Sequence, residues 1–162
     1  MNRVRLTIGS CPENDAQVAS WITGLMAENY EAVGFIPEPA VERQYIERQR
    51  YILQSNERGQ PVGYLLHGVM SYGKPLSIAQ HCIQVDSRLK GYGEATVREL
   101  VSRAARSGVS AITARCATDL PSLAFWLDQG FVVQEIVPGG QRRSRRIASI
   151  WLPLSLPLFG SR

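Results

Sequence analysis

The sequence predicts a mixed α/β fold, with one sheet carrying both antiparallel and strand-helix-strand connections and helices on both faces. Two patterns carry that expectation. Residues 51–85 hold three strand-like runs joined by short glycine-containing turns, which is how an antiparallel meander is written. From residue 91 onward helical and strand-like periods alternate, which is how strand-helix-strand units are written. The 162 residues suit a single domain spanning 1–162.

The elements follow in order. Arg3 to Ser10 alternates Val4, Leu6 and Ile8 with polar residues, the period of a half-buried strand. Ser10-Cys11-Pro12-Glu13 resembles a capping box, and Val18, Trp21, Ile22, Leu25 and Met26 follow at helical spacing. Gly34-Phe35-Ile36-Pro37 breaks that helix, and Ala40 to Gln49, with Val41, Tyr45 and Ile46, predicts a second short one. Tyr51 to Gln54, Pro61 to Met70 and Pro75 to Val85 are the meander strands. The clearest helix is Gly91 to Arg106: Val97, Leu100, Val101 and Ala104 share one face, Glu99 and Arg103 stand four apart on another, and Gly108 marks the stop. Ala111 to Cys116 is a short strand. Asp119 is expected to cap a helix bearing Leu123, Ala124 and Leu127 that ends at Gly130. Phe131 to Val137 and roughly Arg145 to Leu152 flank a Pro138-Gly139-Gly140 turn as the last two strands. The expected order is β-α-α-β-β-β-α-β-α-β-β.

Composition narrows the class. Hydrophobic residues at 44% and charged residues at 20% are those of an ordinary globular protein. The amino terminus has no apolar run of signal-peptide length, so export is not expected. Ile147 to Phe159 is apolar but interrupted by Pro153 and Pro157, and falls short of the ~20 residues a bilayer-spanning helix needs. Cys11, Cys82 and Cys116 are odd in number and widely spaced, which predicts reduced thiols in the cytoplasm and no metal site. The net charge of +4 is local: without Arg142, Arg143, Arg145 and Arg146 the basic count falls from 18 to 14 and equals the acidic count. Such a cluster points to an anionic partner or to a solvated hairpin tip.

The chemistry concentrates at one junction. A strand ending at Val85, then Asp86-Ser87-Arg88-Leu89-Lys90-Gly91-Tyr92-Gly93, then an amphipathic helix is a phosphate-holding arrangement. Glycine lets the backbone turn tightly near a ligand, and the free N–H groups and positive dipole end of the helix face the anion. Arg88-x-x-Gly91-x-Gly93 resembles the Arg/Gln-x-x-Gly-x-Gly/Ala acetyl-CoA signature of the GCN5-related N-acetyltransferase (GNAT) family. The helix ending Phe125-Trp126-Leu127-Asp128-Gln129-Gly130-Phe131 is similar to that family's Asn-x-x-Ala-x-x-Phe-Tyr-x-x-x-Gly-Phe segment. The likeness covers Ile78 to Leu152 by motif and element order, and the first half by element order.

The resemblance implies a mostly antiparallel seven-stranded sheet with one parallel pair that splays apart and admits acetyl-CoA as co-substrate. Backbone groups around Ile83 and Val85 would pair with the pantetheine arm, and amides of Leu89, Lys90, Gly91, Tyr92, Gly93 and Glu94 would hold the diphosphate, with Arg88 and Lys90 as supplements. The family's usual tyrosine, which protonates the departing thiolate, is replaced by Trp126, whose indole N–H donates a hydrogen bond but is no acid near neutral pH. Asp119 and Ser122 stand where Asn and Ala are usual. Acetyl transfer also requires a proton to leave the amine. His81 is the first candidate base, against its alternative as a histidine bonded within the sheet; Asp119 and Glu28 come next, and Tyr92 and Cys116 are candidate acids. Glu28, Tyr30 and Phe35 on one side and Arg142, Arg143 and Arg145 on the other would border the acceptor.

The implied activity is transfer of acetyl to a primary amine, on a small molecule or peptide, by direct attack. Two alternatives stand beside it. One is a non-catalytic CoA-binding, protein-interaction module of the same fold. The other is an acetyltransferase for an RNA-linked amine such as aminoacyl-tRNA, with the arginine cluster on phosphate. A homodimer through the last strands is a further implication of the family likeness.

Overall fold

A computed structural model describes residues 5–7, 15–140 and 144–155. Its elements are β1 (Arg5–Thr7), α1 (Asp15–Glu28), α2 (Tyr30–Val33), α3 (Glu38–Val41) running on as a π-helical turn at Glu42–Ile46, β2 (Tyr51–Ser55), β3 (Pro61–His67), β4 (Pro75–Ile83), a 3₁₀ turn at Val85–Ser87, α4 (Tyr92–Arg106), β5 (Ala111–Ala117), α5 (Ser122–Asp128), β6 (Val132–Pro138) and β7 (Arg146–Pro153). The Ser10–Glu13 capping box, Cys11, Arg142, Arg143, Pro157 and Phe159 lie outside the described residues.

The strands follow the order β1-β2-β3-β4-β5-β7-β6. β1 and β3 flank β2 antiparallel, and β5 and β6 flank β7 antiparallel. β4 and β5 form the parallel pair, in register from Pro75↔Ala111 to Ser77↔Thr113, while β4 runs on to Ile83 and β5 to Ala117. The expected mixed seven-stranded sheet is therefore present.

The chain forms two compact units, residues 1–68 with 79–98 and residues 69–78 with 99–162, so β4 and α4 each run through both. In the first unit, Ala19, Ile22, Leu25 and Met26 of α1 join Val41, Ile46, Tyr51, Tyr64, Leu66 and Cys82 in one core cluster. Alternation along β2 sends Tyr51 and Leu53 to that cluster and Ile52 and Gln54 to the opposite face, where Gln54 meets Thr96 of α4. That places helices on both faces of the sheet. β3 is buried from Val62 to His67 because both of its faces are covered. In the second unit Leu100, Ala104, Ile112, Ala148 and Ile150 are fully or almost fully buried, whereas β6 is exposed along nearly its whole length and carries a register shift between Val133 and Glu135.

Several boundaries differ from the sequence expectation. The strand expected to reach Val85 stops at Ile83, and Val85 opens the 3₁₀ turn at 67% exposure, so its backbone leaves the strand geometry assigned to it. β3 ends at His67 instead of Met70. Tyr30–Val33 forms an extra helical turn, and the second predicted helix begins at Glu38 and widens into the π turn. Asp119 does not cap α5: Pro121 stands at the N-cap with no side-chain cap bond, and the Asp119 carboxylate accepts from Arg145 Nε at 3.0 Å instead. An available guanidinium outcompetes a helix end three residues away.

Candidate functional site

The phosphate-type turn is built by backbone conformation. After β4, Gln84 N–H donates to Val62 O at 2.8 Å and Arg88 N–H to Val85 O at 3.2 Å, closing the 3₁₀ turn. Leu89 (φ 58°) and Gly91 (φ 88°) then both adopt left-handed backbone, which glycine tolerates and leucine does not favour. At Gly91 a Cβ would meet nothing within 4 Å, so the demand is conformational and not spatial. Gly91 O accepts from Ala95 N–H at 3.0 Å, which makes Gly91 the residue preceding the first helical turn. The amides of Tyr92, Gly93 and Glu94 are thereby the helix-start donors with no intrahelical acceptor, at the positive end of a 15-residue helix. Glu94, the acidic residue of that turn, is engaged by Arg98 at 2.7 Å.

A buried polar clamp holds this turn down. Thr96 Oγ1 donates to Tyr92 O at 2.8 Å, and Gln54 Nε2 donates to Thr96 Oγ1; both side chains are fully buried. Gly63 makes room, since a Cβ there would lie 2.0 Å from Gln54 Oε1 and 2.8 Å from Cys82 O. Gln54 Nε2 also lies 3.4 Å from His81 Nε2. Burial pushes His81 down to about 4, so its imidazole is neutral at pH 7 and suited to accept from Gln54.

Beside the turn lies the connection from α1 to α3. Arg88 donates from Nε to Ile83 O at 3.0 Å and from Nη2 to Asn29 Oδ1 at 2.7 Å, and Asn29 Nδ2 donates to Leu25 O at 2.9 Å. The same guanidinium faces Cys82, whose thiol burial pushes up to about 11 while Arg88 pulls it back and Glu28 raises it. Tyr30 and Phe35 are 51% and 61% exposed, and Gly34 between them is left-handed at φ 75°. Underneath, Tyr64 Oη donates to Gln80 Oε1 at 3.1 Å and Gln80 Nε2 donates to Val33 O at 2.9 Å. Burial raises the Tyr64 phenol, so it remains a donor throughout the physiological range.

The second unit gathers another set. Cys116 is buried, with Sγ 3.2 Å from Ser122 Oγ. Burial raises its thiol, against the Ser122 bond and the Arg145 charge, which lower it, and the Asp119 charge, which adds to the rise. The Arg145 hydrogen bond holds Asp119 below the usual carboxylate range. Trp126 is 6% exposed and makes edge-to-face contacts with Phe125 and Phe131, each at 5.1 Å between centroids.

No family model matches the sequence, and no curated protein matches it either. Solved structures do. Ard1 from Thermoplasma volcanium superposes with a TM-score of 0.76 at 13% identity, covering 93% of this chain and 97% of that one. The ribosomal-protein-S18-alanine N-acetyltransferase from Escherichia coli gives 0.72 at 18% identity over 98% and 99%. An aminoglycoside 6′-N-acetyltransferase complexed with coenzyme A gives 0.73 at 12% over 94% and 99%. This chain has the GNAT fold. Within it, His81, Ile83, Val85, residues 88–94, Glu28, Tyr30 and Phe35 belong to the first unit. Cys116, Asp119, Trp126 and Arg145 belong to the second unit. Sequence reasoning missed Gln54, Thr96, Asn29 and Gln80. Gln54 alone left a trace, as a polar residue on a strand whose neighbours are apolar.

Among the described residues no His, Cys, Asp and Glu cluster suited to a metal occurs, and no helix is long and apolar enough to cross a membrane.

Proposed function

We propose that this GNAT-fold chain is an acetyl-CoA-dependent N-acetyltransferase, moving acetyl to a primary amine by direct attack of the amine on the thioester. The observation that carries the reading is the turn at residues 88–94, where two left-handed residues lead into unpaired amides at the start of a long helix. Those amides hold the diphosphate, and the backbone near Ile83 pairs with the pantetheine arm. The aminoglycoside acetyltransferase structure, complexed with coenzyme A, supports the co-substrate. The acceptors named for the similar structures, an aminoglycoside and a ribosomal-protein alanine, support an amine as the acceptor class.

The amine attacks as its neutral form, so a proton must be passed on. His81 is committed to Gln54 and, with its low pKa, holds a proton weakly; Glu28, exposed at the end of α1, is the other first-unit candidate for taking that proton. A thiolate departs more readily than an alkoxide, which permits turnover without the family tyrosine.

Isothermal titration with acetyl-CoA tests binding, and CoA release over pools of small amines and peptides tests turnover, each beside Gly91→Glu. Saturable heat and amine-dependent CoA release, both lost in Gly91→Glu, are expected. Binding without release over every pool favours the second reading, a non-catalytic CoA-binding module, which the burial of Trp126 between Phe125 and Phe131 supports. An RNA-linked acceptor predicts activity that falls steeply with salt; the engagement of Arg145 by Asp119 weighs against it. The free thiols of Cys82 and Cys116 support a cytoplasmic setting.

A further inference from the structure

Three neighbouring strands of the second unit, β5, β7 and β6, present two unlike faces. Ile112, Ala114, Cys116, Ala148 and Ile150 share one face and are all buried, and α5 reaches that face through the Cys116–Ser122 contact. Thr113, Arg115, Ser149, Trp151, Val132 and Glu135 share the other, and none of them is buried. Thr113, Trp151 and Val132 form one row across this open face; Arg115, Ser149 and Glu135 form the next.

Glu135 owes its place in that row to the register shift. Val133 pairs with Ile150 and Glu135 with Ser149, so the extra residue, Gln134, turns the carboxylate onto the side of Arg115. In unbroken register Glu135 would oppose Ala148 and look the other way. Arg115 and Glu135 are both exposed, and among the described residues neither has an ion pair or a side-chain hydrogen bond. Two strand spacings, about 10 Å, separate their backbones, with the small Ser149 between them. The chain thus lays out opposite charges on one face and leaves both unpaired.

From this layout we propose that the open face is a homodimer interface, with a second copy packed on it face to face about a twofold axis running along β7. That operation sets β5 of each copy over β6 of the other. It brings Arg115 to Glu135 of the partner subunit and Glu135 to the partner subunit's Arg115, while Ser149 and Trp151 lie near the axis. Facing sheets pack about 10 Å apart, a gap that an arginine and a glutamate side chain bridge together. The contact covers a face and does not extend the sheet, so the outer edge of β6 stays free. A patch three strands wide is small for a specific interface, which makes association in the micromolar range the expectation. Neither charged residue belongs to the turn at 88–94, so the proposal is independent of the acetyltransferase reading.

Sedimentation equilibrium of the full chain tests it. The unmodified protein should show a reversible monomer–dimer equilibrium. Arg115→Glu and Glu135→Arg each set like charges opposite one another at both contacts, and each should weaken association by about a hundredfold. An equimolar mixture of the two variants should associate as the unmodified protein does, because in that heterodimer each contact again joins an arginine to a glutamate. Such recovery also shows that both variants are folded. A monomer at every concentration overturns the interface, and so does a dimer that neither single reversal weakens or a pair of weakened variants that fails to recover on mixing. A chain that dimerises only after removal of the apolar residues 156–162 makes that segment the occupant of the face, and overturns the proposal as well.

Discussion

The turn at residues 88–94 and the stretch from Cys116 to Trp126 both carry residues that the family likeness marks as functional, yet they are built on opposite principles. In the turn the useful groups are backbone amides, the side chains of Leu89 and Lys90 point into solvent, and the precision comes from φ angles and a buried clamp underneath. In the second stretch the marked residues are side chains, and the largest of them, Trp126, is spent on aromatic packing. A site made of main chain tolerates drift in side-chain identity and remains recognisable. One made of side chains changes its chemistry with a single replacement, since an indole N–H cannot do the acid work of a phenol.

The sharpest way to break this contrast is Gly91→Glu. Left-handed strain of ~1–2 kcal/mol and repulsion between its carboxylate and a diphosphate should weaken acetyl-CoA binding by roughly a hundredfold or more in calorimetry. Unchanged binding would mean that the main-chain turn is not the phosphate site. Next, Trp126→Ala should destabilise the fold by ~3–5 kcal/mol in urea denaturation, as deletion of a buried aromatic does. A stable Trp126→Ala protein with impaired CoA affinity would instead make Trp126 a ligand-facing group.

The pH dependence sharpens the role of His81. The unfolded chain binds a proton at this residue below its ordinary value of 6.5, while the native state resists until about 4. Stability should therefore fall as pH drops from 6.5 toward 4, by on the order of 3 kcal/mol, and His81→Phe should flatten that slope in denaturant titrations. The smallest effect is at the clamp: Thr96→Val leaves the Gln54 amide only His81 as acceptor, costing ~1–3 kcal/mol in thermal denaturation and, by loosening the first turn of α4, a few-fold in acetyl-CoA affinity.

The order of the elements was open to reading because glycines and prolines punctuate this chain at the turns and because α4 has a clean apolar stripe. The 88–93 motif was legible for the same reason, since Gly91 is required by its φ and not by packing. What escaped was set by long-range partners. Asn29 and Arg88 lie 59 positions apart, and Gln54 and Thr96 lie 42 apart. Gln54 stands out only as a polar residue after an apolar run, and nothing local in either pair names its partner. The helical role expected of Asp119 failed similarly, because Arg145 arrives from the bend before β7, 26 positions further along the chain. Val85 misled through propensity: a β-branched residue after a strand invites extension of the strand, but the chain turns away at Gln84.

β6 ends the strand order with Val132, Val133 and Ile136 facing water, a greasy margin of the kind that invites foreign strands to line up against it. The register shift between Val133 and Glu135 spoils the even spacing of amide and carbonyl groups a newcomer would need, and plants a carboxylate in the middle of the row. Straightening that kink by deleting Gln134 would turn an irregular edge into a template on which fibrous growth can begin.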